Sequence, residues 1–172
     1  MTVLETERLL LRRFREEDAP VVDAWEQNDD FKRYLGPPSD GYESIRRWDA
    51  HWDEHGFGLL AVTWRETGEP IGRSGVQYHR AWNGDPEVGW ALDPRWWGRG
   101  LATEAGAASV TWAFGTLGFD RVVSICVEEN VASRRVMEKL GFSLLKRLDW
   151  QGWHLWVHAL DRPRGETGGG RR

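Results

Sequence analysis

Residues 92–110 read LDPRWWGRGLATEAGAASV: two tryptophans beside a glycine-arginine-glycine turn, then a run of small, helix-favouring residues. The turn follows "EVGWAL" (87–92), which suits a strand, and it opens a helical stretch, "LATEAGAASVTWAFGTL" (101–117). Arg95, Gly98 and Gly100 form the pattern RxxGxG. Bare glycines let backbone N–H groups approach an anion closely, and a helix start adds roughly half a positive charge from its dipole. Phosphate oxygens suit such a place; a tight turn with close helix packing would use the same two glycines. A nucleotide P-loop is excluded, because no Gly-Lys followed by Ser or Thr occurs there. A dinucleotide fingerprint would need a third glycine and an acid about 20 residues on.

Outward from the turn, "RVVSICV" (121–127) reads as a buried strand and "NVASRRVMEKL" (130–140) as a helix closed by Gly141. Two strands, "FSLLKRLDW" and "WHLWVHAL", turn about Gln151 and Gly152. On the amino-terminal side, "FGLLAVTWRETGEPIGRSGVQYHR" (57–80) is a hairpin with Gly68 in its turn. Before it, Ile45, Trp48 and Trp52 recur at helical spacing over roughly 42–54. "EEDAPVVDAWEQND" is a helix behind a cluster of acids, and "ETERLLLRRF" an opening strand. The order β α α β β β α β α β β is that of a mixed α/β domain. No Pro- or Gly-rich linker divides the chain, so one domain is expected over 1–162. A loose tail is expected over 163–172, where "DRPRGETGGGRR" offers no apolar residue after Leu160.

Composition narrows the function. The formal charge is 23 − 27 = −4 and the basic residues are scattered, which argues against sequence-wide nucleic-acid binding. The amino terminus has neither the apolar core of a signal peptide nor a membrane-length apolar run. The single Cys126 has no disulfide partner, which fits a reducing, cytoplasmic setting. No His, Cys and carboxylate cluster has metal-ligand spacing, so no metal is implied.

Four stretches, "TERLLLRRFREEDA", "EVGWALDPRWWGRGLATEA", "ENVASRRVMEKLGF" and the closing hairpin, together resemble the GNAT superfamily of acyl-CoA-dependent N-acetyltransferases. Within it, the similarity is closest to the Rim-type branch that acetylates the amino termini of ribosomal proteins. The resemblance implies a twisted, mostly antiparallel sheet of about seven strands flanked by about four helices, with splayed central strands. It implies that acetyl-CoA binds with its pyrophosphate on Arg95–Gly100, where Trp97, Gly98, Arg99 and Gly100 wrap it, and that Leu101 and Ala102 at the helix start take part. Arg95 and Arg99 add charge. Trp90, Ala91 and Leu92 offer backbone to the pantetheine arm, and a backbone N–H on the strand over Trp90 to Leu92 serves the developing oxyanion. Small residues Ala102, Ala105, Gly106 and Ala108 let the helix sit close to the sheet, while Trp96 and Trp97 either fix the turn or simply pack.

For the proton to the departing thiolate, many members use a tyrosine seven residues after the asparagine of this motif; here that position is Met137. The Rim-type branch points instead to Ser133, which is also an ordinary first-turn helix residue. Asn130 both caps this helix and, by resemblance, bonds the pantetheine arm. Glu87 is the candidate base, otherwise a strand-end carboxylate. His79 is the reserve, and Glu104 reads as a helix-dipole acid. Cys126 reads as core. The acceptor is an amine, with Asp29, Asp30 and Asp40 placed to attract a cation such as a peptide amino terminus, a polyamine or an aminoglycoside. Trp25, Trp48 and Trp52 read as core, and some of Trp150, Trp153 and Trp156 as facing the cleft or a partner subunit in a homodimer. Two other classes fit the same residues: a catalytically silent acyl-CoA sensor, which Met137 suggests, and an interaction protein using the aromatic hairpin.

Overall fold

The computed structural model describes residues 3–37 and 39–163; the expected tail, apart from Pro163, lies outside them. Eight strands form one sheet in the order β1-β2-β3-β4-β5-β6-β8-β7. These are β1 Val3–Glu5, β2 Leu9–Arg12, β3 Leu59–Trp64, β4 Pro70–Gln77, β5 Glu87–Leu92, β6 Arg121–Val127, β7 Ser143–Trp150 and β8 Trp153–Asp161. The helices are α1 Ala19–Gln27, α2 Asp29–Lys32, α3 Gly41–His55, α4 Leu101–Gly115 and α5 Val131–Lys139. All neighbouring strands run antiparallel except β5 and β6.

Two counts differ from the sequence expectation, each for a local reason. The opening strand is two strands, because the Thr6 hydroxyl accepts the Leu9 N–H (2.9 Å) and the Thr6 N–H donates to the Leu9 carbonyl (3.0 Å), folding a turn into "ETERLL". The extra helix, α2, exists because the Asn28 side chain accepts from the N–H groups of Asp30 and Phe31, capping a new helix where α1 ends.

The sheet buries both faces. One carries Leu60, Val62, Val88, Leu92 and Val122 against Leu101, Ala105 and Trp112 of α4 and Met137 of α5. The other carries Leu59 and Ala61 against Val22 and Trp25 of α1 and Ile45 and Trp48 of α3. A bulge between Val62 and Thr63 separates Ile71 from the alternation that follows, so Ile71 is core while Arg73 faces the α1 and α3 side. Gly106 shows why α4 needs small residues: a Cβ there would stand 3.0 Å from the Trp90 ring and 2.8 Å from Leu140. Gly41 does the same where α3 crosses α1, since a Cβ would run into the Ala19 carbonyl.

One interruption in the sheet positions the site. β5 and β6 share a single paired position, Glu87 with Val123, beside a bond from the Val123 N–H to the Pro86 carbonyl (2.9 Å). Beyond it they part, as expected of splayed central strands. The Asp93 N–H donates to the Ile71 carbonyl on the β4 side (2.8 Å). Antiparallel alternation then turns the N–H groups of Trp90 and Leu92 away from β4, toward the opening.

Candidate active site

The cleft at this opening has a volume of about 450 Å³ and lies on the α3 side of the sheet. Its floor comes from alternate residues of paired strands, Arg73 and Gln77 on β4 and Gly89 and Glu87 on β5, with Gln77 directly opposite Glu87. Gly89 leaves bare backbone between the charged ends. A Cβ on Gly89 would meet nothing nearer than the Glu87 carboxylate, 3.8 Å away. Glu87 is buried, and one of its oxygens accepts from the Gln77 amide (2.9 Å).

Ser133 lines the same cleft from the first turn of α5. Its N–H is taken by the Asn130 side chain (3.0 Å), whereas its hydroxyl makes no hydrogen bond among the described residues. Asn130 therefore caps α5, which occupies its side-chain oxygen. Met137 is fully buried against the sheet, so the position where a tyrosine would stand is core. Cys126 is buried too, and its thiol is pushed up to about 12 by that burial, which leaves it no nucleophile.

The glycine turn is held from several sides. Asp93 accepts from the Arg95 N–H (2.9 Å) and grips the Arg95 guanidinium (2.7 Å), starting a short 3-10 turn over Pro94–Trp96. Burial by itself would raise the Asp93 carboxyl; the bonds from Arg95 outweigh it and hold it below the usual range. The Arg95 charge is thus committed to Asp93, with Glu69 also within 3.7 Å, and Arg95 serves the turn's shape first. The Trp97 indole donates to the Leu92 carbonyl (2.8 Å), Trp96 packs on Trp64 (5.1 Å), and Arg99 lies over the Trp96 ring (4.9 Å). Gly98 and Gly100 both adopt left-handed conformations, at φ +73° and +75°. Nothing lies within 4 Å of a Cβ placed on Gly98, so the outer face of the turn is open. Gly100 starts α4 with no side-chain cap, leaving the first-turn N–H groups, those of Leu101 and Ala102 among them, facing outward. Of the three β5 residues expected to offer backbone, Trp90 does so fully. Leu92 has only its N–H, and Ala91, bonded toward β4, has neither group.

Sequence reasoning missed what steadies this turn from behind. Glu104 accepts from the Thr6 hydroxyl (2.6 Å), the Arg8 N–H (2.9 Å) and the Arg8 guanidinium, while Arg8 also donates to the Arg99 carbonyl (2.9 Å). Burial pushes the Glu104 carboxyl up, but these donors prevail and hold it low. On the acceptor side, Arg73, Arg47, Gln77 and His51 line the cleft and none was anticipated. The signal for Arg73 was present in "PIGRSGVQ", a single charge inside a strand otherwise uncharged. His51 accepts from the Tyr78 N–H (3.0 Å) and its other nitrogen bonds the Phe57 carbonyl (2.8 Å), so both ring atoms are engaged. His79 accepts the Ala81 N–H (3.1 Å) and lies at the cleft edge beside Trp150 (6.0 Å).

The acids expected to draw a cation do not face the cleft chemistry. Asp29 pairs with Lys32, Asp30 with Arg33, and Asp40 caps α3 through the Glu43 N–H. Trp25, Trp48 and Trp52 are core, while Trp150 and Trp153 line the cleft and Trp156 lies within 4.3 Å of two guanidiniums, Arg134 and Arg147. Among the described residues there is no group of three or more metal-ligating side chains, and no helix long and apolar enough to cross a membrane.

Comparison with known proteins bears on this site. A family model described as an acetyltransferase (GNAT) domain matches residues 8–143. The uncharacterized N-acetyltransferase YoaA of Bacillus subtilis is 30% identical over 177 residues, covering 94% of this chain and 98% of its own. The crystal structure of an acetyltransferase from Agrobacterium tumefaciens superposes with a TM-score of 0.84 at 30% identity, covering 94% of this chain and 95% of that one. RimL, a ribosomal L7/L12 α-N-protein acetyltransferase solved with coenzyme A, shares the fold at TM-score 0.76 and 17% identity, over 93% of this chain and 98% of its own.

Proposed function

The chain belongs to the GNAT acetyltransferase family, and from that premise we propose that it transfers the acetyl group of acetyl-CoA directly to the primary amine of an acceptor. The acceptor is a peptide or protein amino terminus or a small molecule. The observation that carries the reading is convergence: Glu87, the uncommitted Ser133 hydroxyl and the unpaired edge at Trp90 all meet at one opening in the sheet.

The residues present fit the cofactor. The open outer face of Gly98, the uncapped start of α4 and the positive dipole there suit a pyrophosphate, and the unpaired β5 edge suits a pantetheine arm with its amides in line. RimL was solved with coenzyme A on this fold. When bound, acetyl-CoA supplies an activated acyl group on a thiol leaving group. The Glu87 carboxylate accepts the proton of the incoming amine, directly or through one water. The Trp90 N–H donates to the charge that develops on the acyl oxygen. Ser133 Oγ relays a proton from water to the departing sulfur. The buried thiol of Cys126 plays no part, and direct attack needs no protein nucleophile. A cytoplasmic setting goes with this chemistry and with an unpaired cysteine.

Thermal unfolding with acetyl-CoA tests the binding half. A ligand that binds only the native state stabilises by about 2.7 kcal/mol at a hundredfold excess over its dissociation constant. Gly98→Trp, which strains the left-handed turn and fills its open face, is expected to abolish the shift. Thiol release with an amine panel tests transfer: Ser133→Ala and Glu87→Gln are each expected to lower kcat by about 10²- to 10⁴-fold with the acetyl-CoA shift intact. Full turnover in both variants would remove the assigned roles. An acetyl-CoA shift without turnover of any amine would favour the sensor reading.

A further inference from the structure

The acceptor half of the cleft carries the opposite charge from the one the sequence suggested. Its charged lining is Arg47, Arg73, Arg80 and Glu87, three guanidiniums against one carboxylate, in a chain of net charge −4. The acids nearby are spent on their own helices, as described above.

Arg73 is the centre of this arrangement. It projects from the middle of β4 with its guanidinium 5.1 Å from the Trp48 ring centroid, and its Nε, inaccessible to solvent, has no hydrogen-bond partner. No carboxylate stands within ion-pair distance of it among the described residues. Burial pulls the guanidinium below its ordinary pKa, and Arg47 adds repulsion while Glu26 and Glu87 oppose it. Glu26 is buried on α1 and accepts only weakly from the Ser44 hydroxyl (3.4 Å), which Arg47 also approaches (3.4 Å). A half-buried guanidinium without a salt bridge is costly unless an anion reaches it, and arginine's planar fork is suited to bidentate recognition of a carboxylate.

Resting on the transferase reading above, we propose that Arg73, with Arg47 beside it, binds an anionic group of the acceptor, which is therefore a primary amine that also carries a carboxylate. Arg73 and Glu87 stand on one face of the β4–β5 pair with the bare backbone of Gly89 between them. An amino acid laid over that floor brings its amine toward Glu87 and its carboxylate toward Arg73. Trp48, Trp150 and Trp153 wall the space above. Polyamines and aminoglycosides, which offer several cations and no anion, are selected against by the same guanidiniums. The carboxylate is either the α-carboxylate of a free amino acid or an acidic side chain just behind a peptide amino terminus.

The test uses the full chain, acetyl-CoA and matched acceptors: L-phenylalanine against L-phenylalaninamide, the peptide amide Ala-Asp against Ala-Asn, and spermidine. The reading expects at least about a tenfold advantage in kcat/KM for the carboxylate member of one pair. The free amino acid winning marks the α-carboxylate, and the Ala-Asp amide winning marks a peptide. That advantage is expected to fall to near unity in Arg73→Gln, chiefly through KM, to be partly restored in Arg73→Lys, and to shrink in the surface variant Arg47→Gln, with the acetyl-CoA thermal shift unchanged in all three. If Arg73→Gln does not fold, Arg73→Lys and Arg47→Gln decide. Equal or better turnover of the amides or of spermidine overturns the proposal while leaving the transferase intact, as does a carboxylate preference that survives the substitutions. If no amine is acetylated, the transferase reading fails; stabilisation of the CoA complex by L-phenylalanine but not its amide would still support the anion site, and stabilisation by neither would overturn it.

Discussion

Replacing Glu104 by glutamine tests how the glycine turn is held. The carboxylate takes three groups at once, the Thr6 hydroxyl and the N–H and guanidinium of Arg8, and Arg8 in turn holds the Arg99 carbonyl. Hydrogen bonds to a charged group contribute about 1.5–3 kcal/mol each, but the Arg8 side chain is 38% exposed and water replaces part of what it loses. Glutamine keeps the shape and one acceptor oxygen, so a net loss of about 1–2 kcal/mol follows, a fall in Tm of roughly 2–8 °C for a domain of this length. Because the folded carboxyl sits below its ordinary value near 4.3, the folded protein binds fewer protons than the unfolded chain there. The stabilisation is therefore whole above about pH 5 and lost as pH falls through the depressed folded value. Melts of wild type and variant at pH 7 and across pH 5 to 3 should show a gap that closes in acid. Acetyl-CoA binding by the variant should weaken at pH 7, since the turn loses its support. A gap of the same size at every pH, or no gap at pH 7, would refute the argument that this charge holds the hairpin to α4.

Gly41→Ala should cost about 3 kcal/mol, because its Cβ meets the Ala19 backbone across the α1–α3 crossing, whereas Gly115→Ala, with nothing within 4 Å, should be neutral or gain up to about 1 kcal/mol; denaturant melts compare them. Cys126 should react with a thiol reagent at pH 7.5 on the order of a thousandfold more slowly than a small free thiol, and at ordinary rates after unfolding. Since Nε2 of His51 accepts the Tyr78 N–H, its proton sits on Nδ1, and burial lowers its pKa. The folded state then binds fewer protons than the unfolded chain, so the His51 contribution is present above about pH 6.5 and lost as pH falls through the lowered folded value. Nitrogen shifts showing an imidazolium at pH 6.5 would contradict that geometry.

The backbone plan was legible because it rests on local signals. "EVGWAL" is β5 from Glu87 to Leu92, and Gln151 and Gly152, both at positive φ, make the hairpin turn expected of them. The meeting of Glu87 with Ser133 needed the resemblance, since they stand 46 positions apart (133 − 87) and no periodicity connects them. What escaped was pairing between distant segments. Nothing local says that Arg8 reaches Glu104; Asp29 and Asp30, by contrast, pair locally at i,i+3 with Lys32 and Arg33, a signal passed over in favour of the cleft. Arg73 escaped because a lone charge in a strand reads as a solvated face until two helices are seen packed over it.

Odd-numbered residues of β5 face the acceptor cleft and even-numbered ones face α4, so six consecutive positions serve two compartments at a spacing of two. Inserting or deleting one residue within 87–92 would exchange the sets, driving a carboxylate into the core and an indole across the cleft floor. Length variation among descendants of this chain is therefore expected to collect in the connection over 78–86, ahead of the strand, where an added residue changes the rim of the cleft and leaves the register of the strand untouched.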